Sequence, residues 1–574
     1  MERTHLLNLL WNQQNAQGFI SQSAITEIAK LLKISTIEVE GVITFYHFFH
    51  QKPTGKYIIY LNNSIISEFK GFREVKTTFE KETGCVFGKY DNNPLFSLFE
   101  TSCIGLSDQE PAALINFYPF TDLTPEKVIS IIKDLKNNIP IKTIADNPKS
   151  KIQYIPEDDK TVFFKDYTPG NSINKLKENN ADSILKTIAD VNLKGRGGAF
   201  FPTALKWQAC KKNSAKTKYI ICNADEGEPG TFKDKILLME FPDLVIEGMI
   251  IAAFVVGAKE GIIYLRAEYK YLLPKLKETI HNFYNNNYLG DKILGINNFT
   301  FNLKIQLGAG AYVCGEETAL IESLEGKRGE PRIRKYFPTD VGYLGKPTIV
   351  NNVETFANAA RIIELGADYF KNIGTEKSKG TKLISVSGDV AKPGIYEIEW
   401  GMTVKELLQL CQATAPNYVQ ITGPSGECIN ETEFNRKICN EDLTCGGAIM
   451  VFNKFRGIIK ILENFTKFFR SESCGVCTPC RAGNQILFEK IKKLKKGLCT
   501  STDLQEIKDW GNIMKLTSRC GLGKTASNTF STATEKFSDY FKFKILSENE
   551  NQNVEFDMES AIQDFDSIIK DNHH

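Results

Sequence analysis

Apolar residues recur at helical spacing near the start of the chain, at Ile25, Ile28, Ala29 and Leu32, and Ser35-Thr36-Ile37-Glu38 has the form of a capping box opening a further helix. Residues 1–55 thus predict a small helical unit. The period then changes. The run Tyr57-Ile58-Ile59-Tyr60-Leu61, a polar helical stretch, a second run near Leu95 to Glu100 and the apolar Ala112-Ala113-Leu114-Ile115 predict a small α/β domain over 56–140. Residues 141–179, rich in Asn, Lys, Pro and Asp and without periodicity, read as a linker that wraps along a surface. Between 180 and 372, β-branched runs such as Tyr219-Ile220-Ile221-Cys222 and Gly261-Ile262-Ile263-Tyr264-Leu265 alternate with helical patterns such as Leu273 to Tyr284, which predicts a layered α/β domain. Strand patterns at Lys382–Asp389 and Pro393–Glu397, followed by a helix at Val404–Leu410, predict a small mixed sheet of β-grasp, ubiquitin-like type over 373–455. Ile458, Ile461, Leu462 and Phe465, then Ile486, Leu487, Ile491 and Leu494, predict a helical bundle over 456–530. Residues 531–574 read as a C-terminal tail, expected to be mobile over the polar Ser547–Gln552 and helical later. The fold class is multidomain α/β and α+β.

Composition narrows the classes. At 574 residues the chain exceeds a single core, and 42% hydrophobic with 24% charged residues excludes extensive disorder. Seventy-one Lys and Arg against 69 Asp and Glu leave +2, so no global field draws it to nucleic acid. The segment Thr36 to Phe45, at the place of a DNA-reading helix, carries Glu38 and Glu40 and no Lys or Arg, which disfavours phosphate contact. The longest apolar stretch, Leu244 to Ala258, contains Glu247 and Gly248 and is shorter than the roughly 20 residues of a bilayer span. No membrane insertion is expected, and a start without basic, apolar and cleavage segments predicts a cytoplasmic protein. Fourteen Cys against six His place any metal chemistry on thiolates, and most of the cysteines stand singly in apolar contexts, as reduced thiols do.

Three glycine-rich or acidic turns follow strand patterns. Gly195-Arg196-Gly197-Gly198 lets backbone NH groups approach a phosphate, with Arg196 adding a cation. Asn223-Ala224-Asp225-Glu226-Gly227-Glu228 stands at a strand's C-terminal end, where α/β sheets bind ligands and carboxylates accept from polyol hydroxyls. Gly308 to Leu320 repeats the pattern, and Asn351-Asn352 closes the set. Separately, Cys474, Cys477 and Cys480 are each two residues apart, with Cys520 forty residues on; three clustered thiolates and a distant fourth suit a [4Fe-4S] cluster. Zinc, usually held by two separated CxxC pairs, is the rival reading. A Cys477–Cys480 thiol–disulfide pair would leave Cys474 without a role.

In their order from Gly195 to Gly523, these motifs resemble the flavin-bearing, NADH-binding subunits of respiratory complex I and their relatives. The first 135 residues resemble the thioredoxin-like [2Fe-2S] subunit that accompanies them, here fused to the same chain. That fusion, with Phe45-Tyr46-His47-Phe48-Phe49 and Cys103 to Ala112, is most similar to the diaphorase subunits of soluble NAD-reducing [NiFe] hydrogenases. The resemblance implies that Gly195, Arg196, Gly197, Gly198 and Lys206 hold the FMN phosphate. It likewise places Asn223, Asp225 and Glu226 against the ribityl chain and ring, and gives Tyr312, Gly315, Glu316, Asn351 and Asn352 further flavin contacts. Glu228, Phe201, Glu317 and Phe337 match the NAD(H) site, with Glu228 positioning the nicotinamide. No side chain is required as a catalytic base; hydride passes between nicotinamide and FMN, then single electrons to the [4Fe-4S] cluster. The resemblance also implies partners in a hetero-oligomer: a small iron–sulfur diaphorase subunit and the large and small [NiFe] hydrogenase subunits, coupling H2 oxidation to NAD+ reduction.

Several positions depart from the pattern: Phe200 and Ala204 replace glycines, Ala209 an aromatic and Arg334 a lysine. In the N-terminal domain the four cluster-ligand positions align with Asn62, Ser67, Cys103 and Ser107. Only one thiol remains, so no [2Fe-2S] cluster is expected there. A diaphorase of complex I or of a formate dehydrogenase, and a silent nucleotide-sensing scaffold, stay open as alternatives.

Overall fold

The computed structural model describes residues 2–333 and 335–546; the expectations for Arg334 and for the end of the tail lie outside the described residues. At its centre is a four-stranded parallel sheet in the order Asn302–Leu307, Glu260–Leu265, Tyr219–Ala224, Thr348–Asn352. The strands are short, apolar on both faces and joined by helical crossovers, as parallel sheets require. On one face, Ile220, Cys222, Ile263 and Ile349 pack under helices Pro242–Val256 and Val353–Leu365. Helix Pro242–Val256 is the apolar stretch noted above; it is buried almost throughout, and among the described residues no helix is long and apolar enough to cross a membrane.

The opposite face belongs to the N-terminal unit. Ile221, Ile262, Tyr264 and Val350 share a core with Leu6, Leu10, Trp11 and Phe48, each full burial being worth about 1.5–3 kcal/mol. Helices Leu6–Gln17, Gln22–Leu32 and Thr36–Ile43 make up this unit, the third opened by the expected Ser35/Glu38 capping box. Its backbone also clasps the glycine turn that follows the sheet: His47 N donates to Gly310 O at 3.0 Å and Phe48 N to Ala309 O at 3.1 Å. Gly310 has φ +84°, and a Cβ there would meet the Phe48 ring at 2.5 Å, so only glycine fits.

Residues 57–120 add the expected small sheet, in the order Phe96–Thr101, Tyr57–Asn62, Ala113–Ile115, Tyr118–Phe120. The segment expected to be a linker is structured: Ile152–Tyr154 pairs in parallel with Gly394–Glu399 as the edge of the mixed sheet. Further on, the buried Glu397 carboxylate accepts from the NH groups of Val162, Phe163 and Phe164 at 2.7, 3.0 and 3.1 Å. The bundle is built from Ile458–Glu472, Thr478–Lys495 and Ser501–Thr517, with three shorter helices after them among the described residues.

Candidate functional site

Three strand ends of the parallel sheet converge on one edge. From Tyr219–Ala224, the loop through Asn223 is shaped by Asn223 itself, whose Nδ2 donates to Gly315 O at 2.8 Å and whose Oδ1 accepts from Asp225 N at 3.1 Å. Asn351 Oδ1 accepts from the buried Trp207 indole at 3.0 Å, while Asn352 caps helix Val353–Leu365 and donates to Asp234 at 2.6 Å. Glu316 caps helix Glu317–Leu324 by accepting from Thr318 N and Ala319 N. Glu226 accepts from Asp234 N, Lys235 N and the Tyr269 hydroxyl; burial, with Asp234 adding to it, pushes its carboxyl up to about 7. The structure thus brings these expected contacts to one edge, and several already serve as helix caps and loop braces.

The glycine loop sits against this edge. Gly198 has φ +103° with nothing within 4 Å of where a Cβ would stand, whereas a Cβ on Gly197 would press on Asn352 at 3.1 Å. Neighbouring Phe200, at a glycine position of the pattern, holds φ +52° and packs toward the mixed-sheet core. Arg196 is buried; its Nη2 donates to Lys379 O at 3.2 Å, its guanidinium lies over Trp400 at 5.0 Å, and its Nε has no partner. Lys206 pairs with Glu317 at 2.8 Å and also donates to Val350 O at 2.9 Å. Open space beside Gly198, with the unpartnered Arg196 Nε and Thr203 Oγ1 on the same loop and the helix that follows it, suits a ligand carrying a phosphate group. Phe201 and Phe337 stand exposed, as an open stacking platform does, and so does Ala209.

Beneath the loop lies a charge network that residue spacing alone does not reveal. Glu354 is fully buried, bonds Lys382 closely and lies 3.0 Å from Lys233. Burial works to raise its carboxyl, but Lys382, Lys233 and Arg196 outweigh that and hold it near 2. The folded value lies below the unfolded one, so this stabilisation is complete above about pH 4.5 and is lost as the pH falls toward 2. Glu354→Gln is expected to cost about 3–5 kcal/mol of stability, and between pH 5 and 3 its thermal midpoint, lower at the start, to fall less steeply than that of the native chain. Parallel slopes in calorimetry would contradict the assignment.

Glu228 links this edge to the bundle. It accepts from the Tyr312 hydroxyl at 2.5 Å and from Ser425 N at 2.8 Å, and burial raises its carboxyl to about 7 against those two donors. The Tyr312 ring meets Phe468 edge-on at 5.0 Å, and Tyr312 N donates to Glu472, in the helix that leads directly to Cys474. The four expected thiols form one neighbourhood: Cys477, Cys520 and Cys474 all act on Cys480, which burial raises to about 12, and Cys474 acts on Cys520. Ser473 and Asn484 bond the Cys480 sulfur at 3.4 and 3.3 Å, as cluster thiolates are commonly supported. All 14 cysteines are free, which leaves the disulfide reading of Cys477 and Cys480 without support, and Cys499 faces Asp503, Lys493 and Lys490 instead of the four. Among the described residues no three His, Cys, Asp or Glu side chains close on a single ion, whereas a cubane sits among more widely held sulfurs.

Comparison with known proteins places these features in a family setting. Residues 188–361 match the Nuo51 FMN-binding domain, 460–544 the NADH-ubiquinone oxidoreductase-F iron-sulfur binding region, and 1–136 the thioredoxin-like [2Fe-2S] ferredoxin. The NAD-reducing hydrogenase HoxS subunit alpha of Cupriavidus necator is 44% identical over 582 residues, covering 99% of this chain and 97% of its own. An NADH-quinone oxidoreductase subunit of Rhizobium meliloti is 37% identical over 63% of this chain and 88% of its own. A crystal structure of an NAD+-reducing [NiFe]-hydrogenase in the H2-reduced state superposes with a TM-score of 0.89 at 35% identity, over 98% of this chain and 96% of that one.

One expectation is corrected by these matches. Thiol counting predicts an N-terminal domain without a [2Fe-2S] cluster; its match to the thioredoxin-like [2Fe-2S] ferredoxin family puts that cluster back among the cofactors to be assayed. The expectation weighs thiols alone. In the structure Ser107 Oγ lies 3.5 Å from Cys103 Sγ, and Asn62 bonds the buried Glu110.

Proposed function

Because the chain belongs to the family of NAD-reducing hydrogenase alpha subunits, we propose that it is the flavin-bearing, NAD(H)-binding diaphorase subunit of a cytoplasmic hetero-oligomer that couples H2 oxidation to NAD+ reduction. Its partners in this reading are a small iron–sulfur diaphorase subunit and the large and small [NiFe] hydrogenase subunits. When bound, FMN exchanges hydride with NAD(H) and single electrons with a [4Fe-4S] cluster. The chain's own residues bind, orient and insulate. Gly195, Arg196, Gly197, Gly198 and Lys206 hold the flavin phosphate side, and Asp225, Tyr312 and Asn352 border its polyol and ring. Phe201 and Phe337 offer faces to the nucleotide, with Glu228 bonding its amide. Cys474, Cys477, Cys480 and Cys520 hold the cluster.

The observation that carries this reading is the bridge at Tyr312: one side chain bonds Glu228 at the nucleotide edge and packs on Phe468 in the helix that ends at the cysteines. Electron carriers and hydride site are then neighbours by construction. Purified with its native partners, the complex is expected to reduce NAD+ with H2, to release FMN on denaturation and to show a reducible iron–sulfur spectrum. A colourless preparation that binds nucleotide without turnover would reverse the conclusion and favour the sensing scaffold.

A further inference from the structure

Proton balance poses a question that the flavin site alone does not answer. A hydride is one proton and two electrons, and electrons that arrive through a thiolate-held cluster bring no proton with them. For every hydride given to NAD+, one proton must therefore reach the flavin by another way. In the reading above, the nucleotide sits over Phe201 and Phe337 and covers the open side while the hydride leaves.

On the opposite side the structure holds a cavity of about 680 Å³, where the N-terminal unit, the parallel-sheet domain and the bundle meet. Neither Phe201 nor Phe337 lines it; Asp225 and Tyr312 do, so it reaches the back of the flavin edge. Exposed Arg328 and Lys467 also line it, so it extends to the surface, and His47 stands in its wall, reached by solvent although the surrounding protein lowers its pKa. Inside, Glu268 is buried at 5% exposure, pairs with Arg266 at 2.6 Å through one oxygen and leaves Oε2 without a partner. Asp225 Oδ2, Ser64 Oγ and Arg266 Nε, in the same wall, are also buried without protein partners. Four orphaned polar atoms around one roomy, polar cavity are what ordered water satisfies.

We propose that this cavity delivers the proton each hydride requires, by a water path in which Glu268 and Asp225 pass it from His47 and the solvent side to the flavin. The step balances: two electrons from the cluster and one proton from water leave as hydride on NAD+, and Glu268 and Asp225 regain their protons from the cavity. The groups facing Glu268 are Arg266, Asp225, Glu472, His47 and Tyr271; those facing Asp225 are Arg266, Glu268, Glu472, Tyr46, Tyr264 and Cys314. Burial raises the Asp225 carboxyl well above its usual range, against the pull of Arg266.

This inference rests on the flavin reading, and two reactions separate the one from the other. Hydride exchange from NADH to the 3-acetylpyridine analogue of NAD+ uses the flavin but needs no proton, whereas H2-driven NAD+ reduction needs one. In the purified complex, Glu268→Gln keeps the acceptor used by Arg266 and removes the carboxylate that faces the cavity through its unpartnered oxygen. It is expected to slow H2-driven reduction about tenfold or more, and to slow proton uptake from a dye-containing, weakly buffered medium after mixing with reduced viologen. Hydride exchange and FMN content are expected to stay as in the native complex. With FMN retained, equal change in both reactions, or no change in either, overturns the path. If the variant does not assemble, His47→Gln, which touches no assigned flavin contact, decides by the same measurements. A native complex without FMN or without hydride exchange would instead refute the flavin reading itself.

Discussion

Cys520→Ser is expected, on the proposed ligand set, to leave a complex that still exchanges hydride between two nicotinamide nucleotides but passes electrons to one-electron acceptors about a hundredfold more slowly or worse, since a cubane needs four thiolate ligands. Cys520 stands immediately before helix Gly521–Thr525, buried at 6% exposure, within electrostatic reach of Cys480 and Cys474. No nearby thiol replaces it, because Cys499 faces the Asp503 and Lys490 side of the bundle. The check is a pair of assays on one preparation, NADH to acetylpyridine analogue and NADH to viologen, with iron determined alongside. Viologen reduction at the native rate, with iron unchanged, would remove Cys520 from the ligand set.

Gly198→Val is expected to drop bound FMN below about a tenth of the native content. At φ +103° an L-residue is strained by about 1–2 kcal/mol, more when β-branched, and the new side chain occupies the open space that the phosphate reading requires. Strain alone is separated by a control. Gly257, at the C-terminus of helix Pro242–Val256, also has a positive φ with nothing within 4 Å. Gly257→Val should lose a similar stability and keep its flavin. Equal flavin loss in both variants would show that the glycine loop is a fold requirement and not a ligand cradle.

Period and turn chemistry made much of this fold legible. The strand runs at Tyr57, Tyr219 and Gly261, the Ser35/Glu38 box and the bundle's apolar stripe all appear where the pattern put them, because each is decided by residues close in sequence. What covers a buried strand is not local. Ile220 and Ile221 both read as buried, yet nothing in their spacing says that one faces Phe356 and the other Trp11. The edge strand Ile152–Tyr154 is hidden for a similar reason: a polar, aperiodic segment becomes a strand only because Gly394–Glu399 offers it a free edge.

The site shows the same division. Residue types and spacing bring out the glycine loop, the acidic turn and the four cysteines, since each motif is a short run of chemically distinctive residues. They do not show that Glu316 caps a helix, that Glu226 is occupied by the backbone of Asp234 and Lys235, nor that Phe200 sits at a positive φ. Arg266 and Glu268 also escape them, although both follow the end of strand Glu260–Leu265, the position at which such sheets place ligand-facing groups. Counting thiols in the N-terminal domain and matching the domain as a whole to the thioredoxin-like [2Fe-2S] ferredoxin family point to different cofactor contents, because a tally by residue type weighs four positions and a family match weighs the fold.

The helices at the start of the chain are one half of the sandwich around the central sheet, and Phe48 and His47 hold its glycine turn by main-chain bonds. Were that half a separate polypeptide, its docking would depend on how often two molecules met, and dilution would peel it away. Joined in one chain, the two halves stay in fixed one-to-one proportion at any concentration, and neither can wait for the other to be synthesised elsewhere.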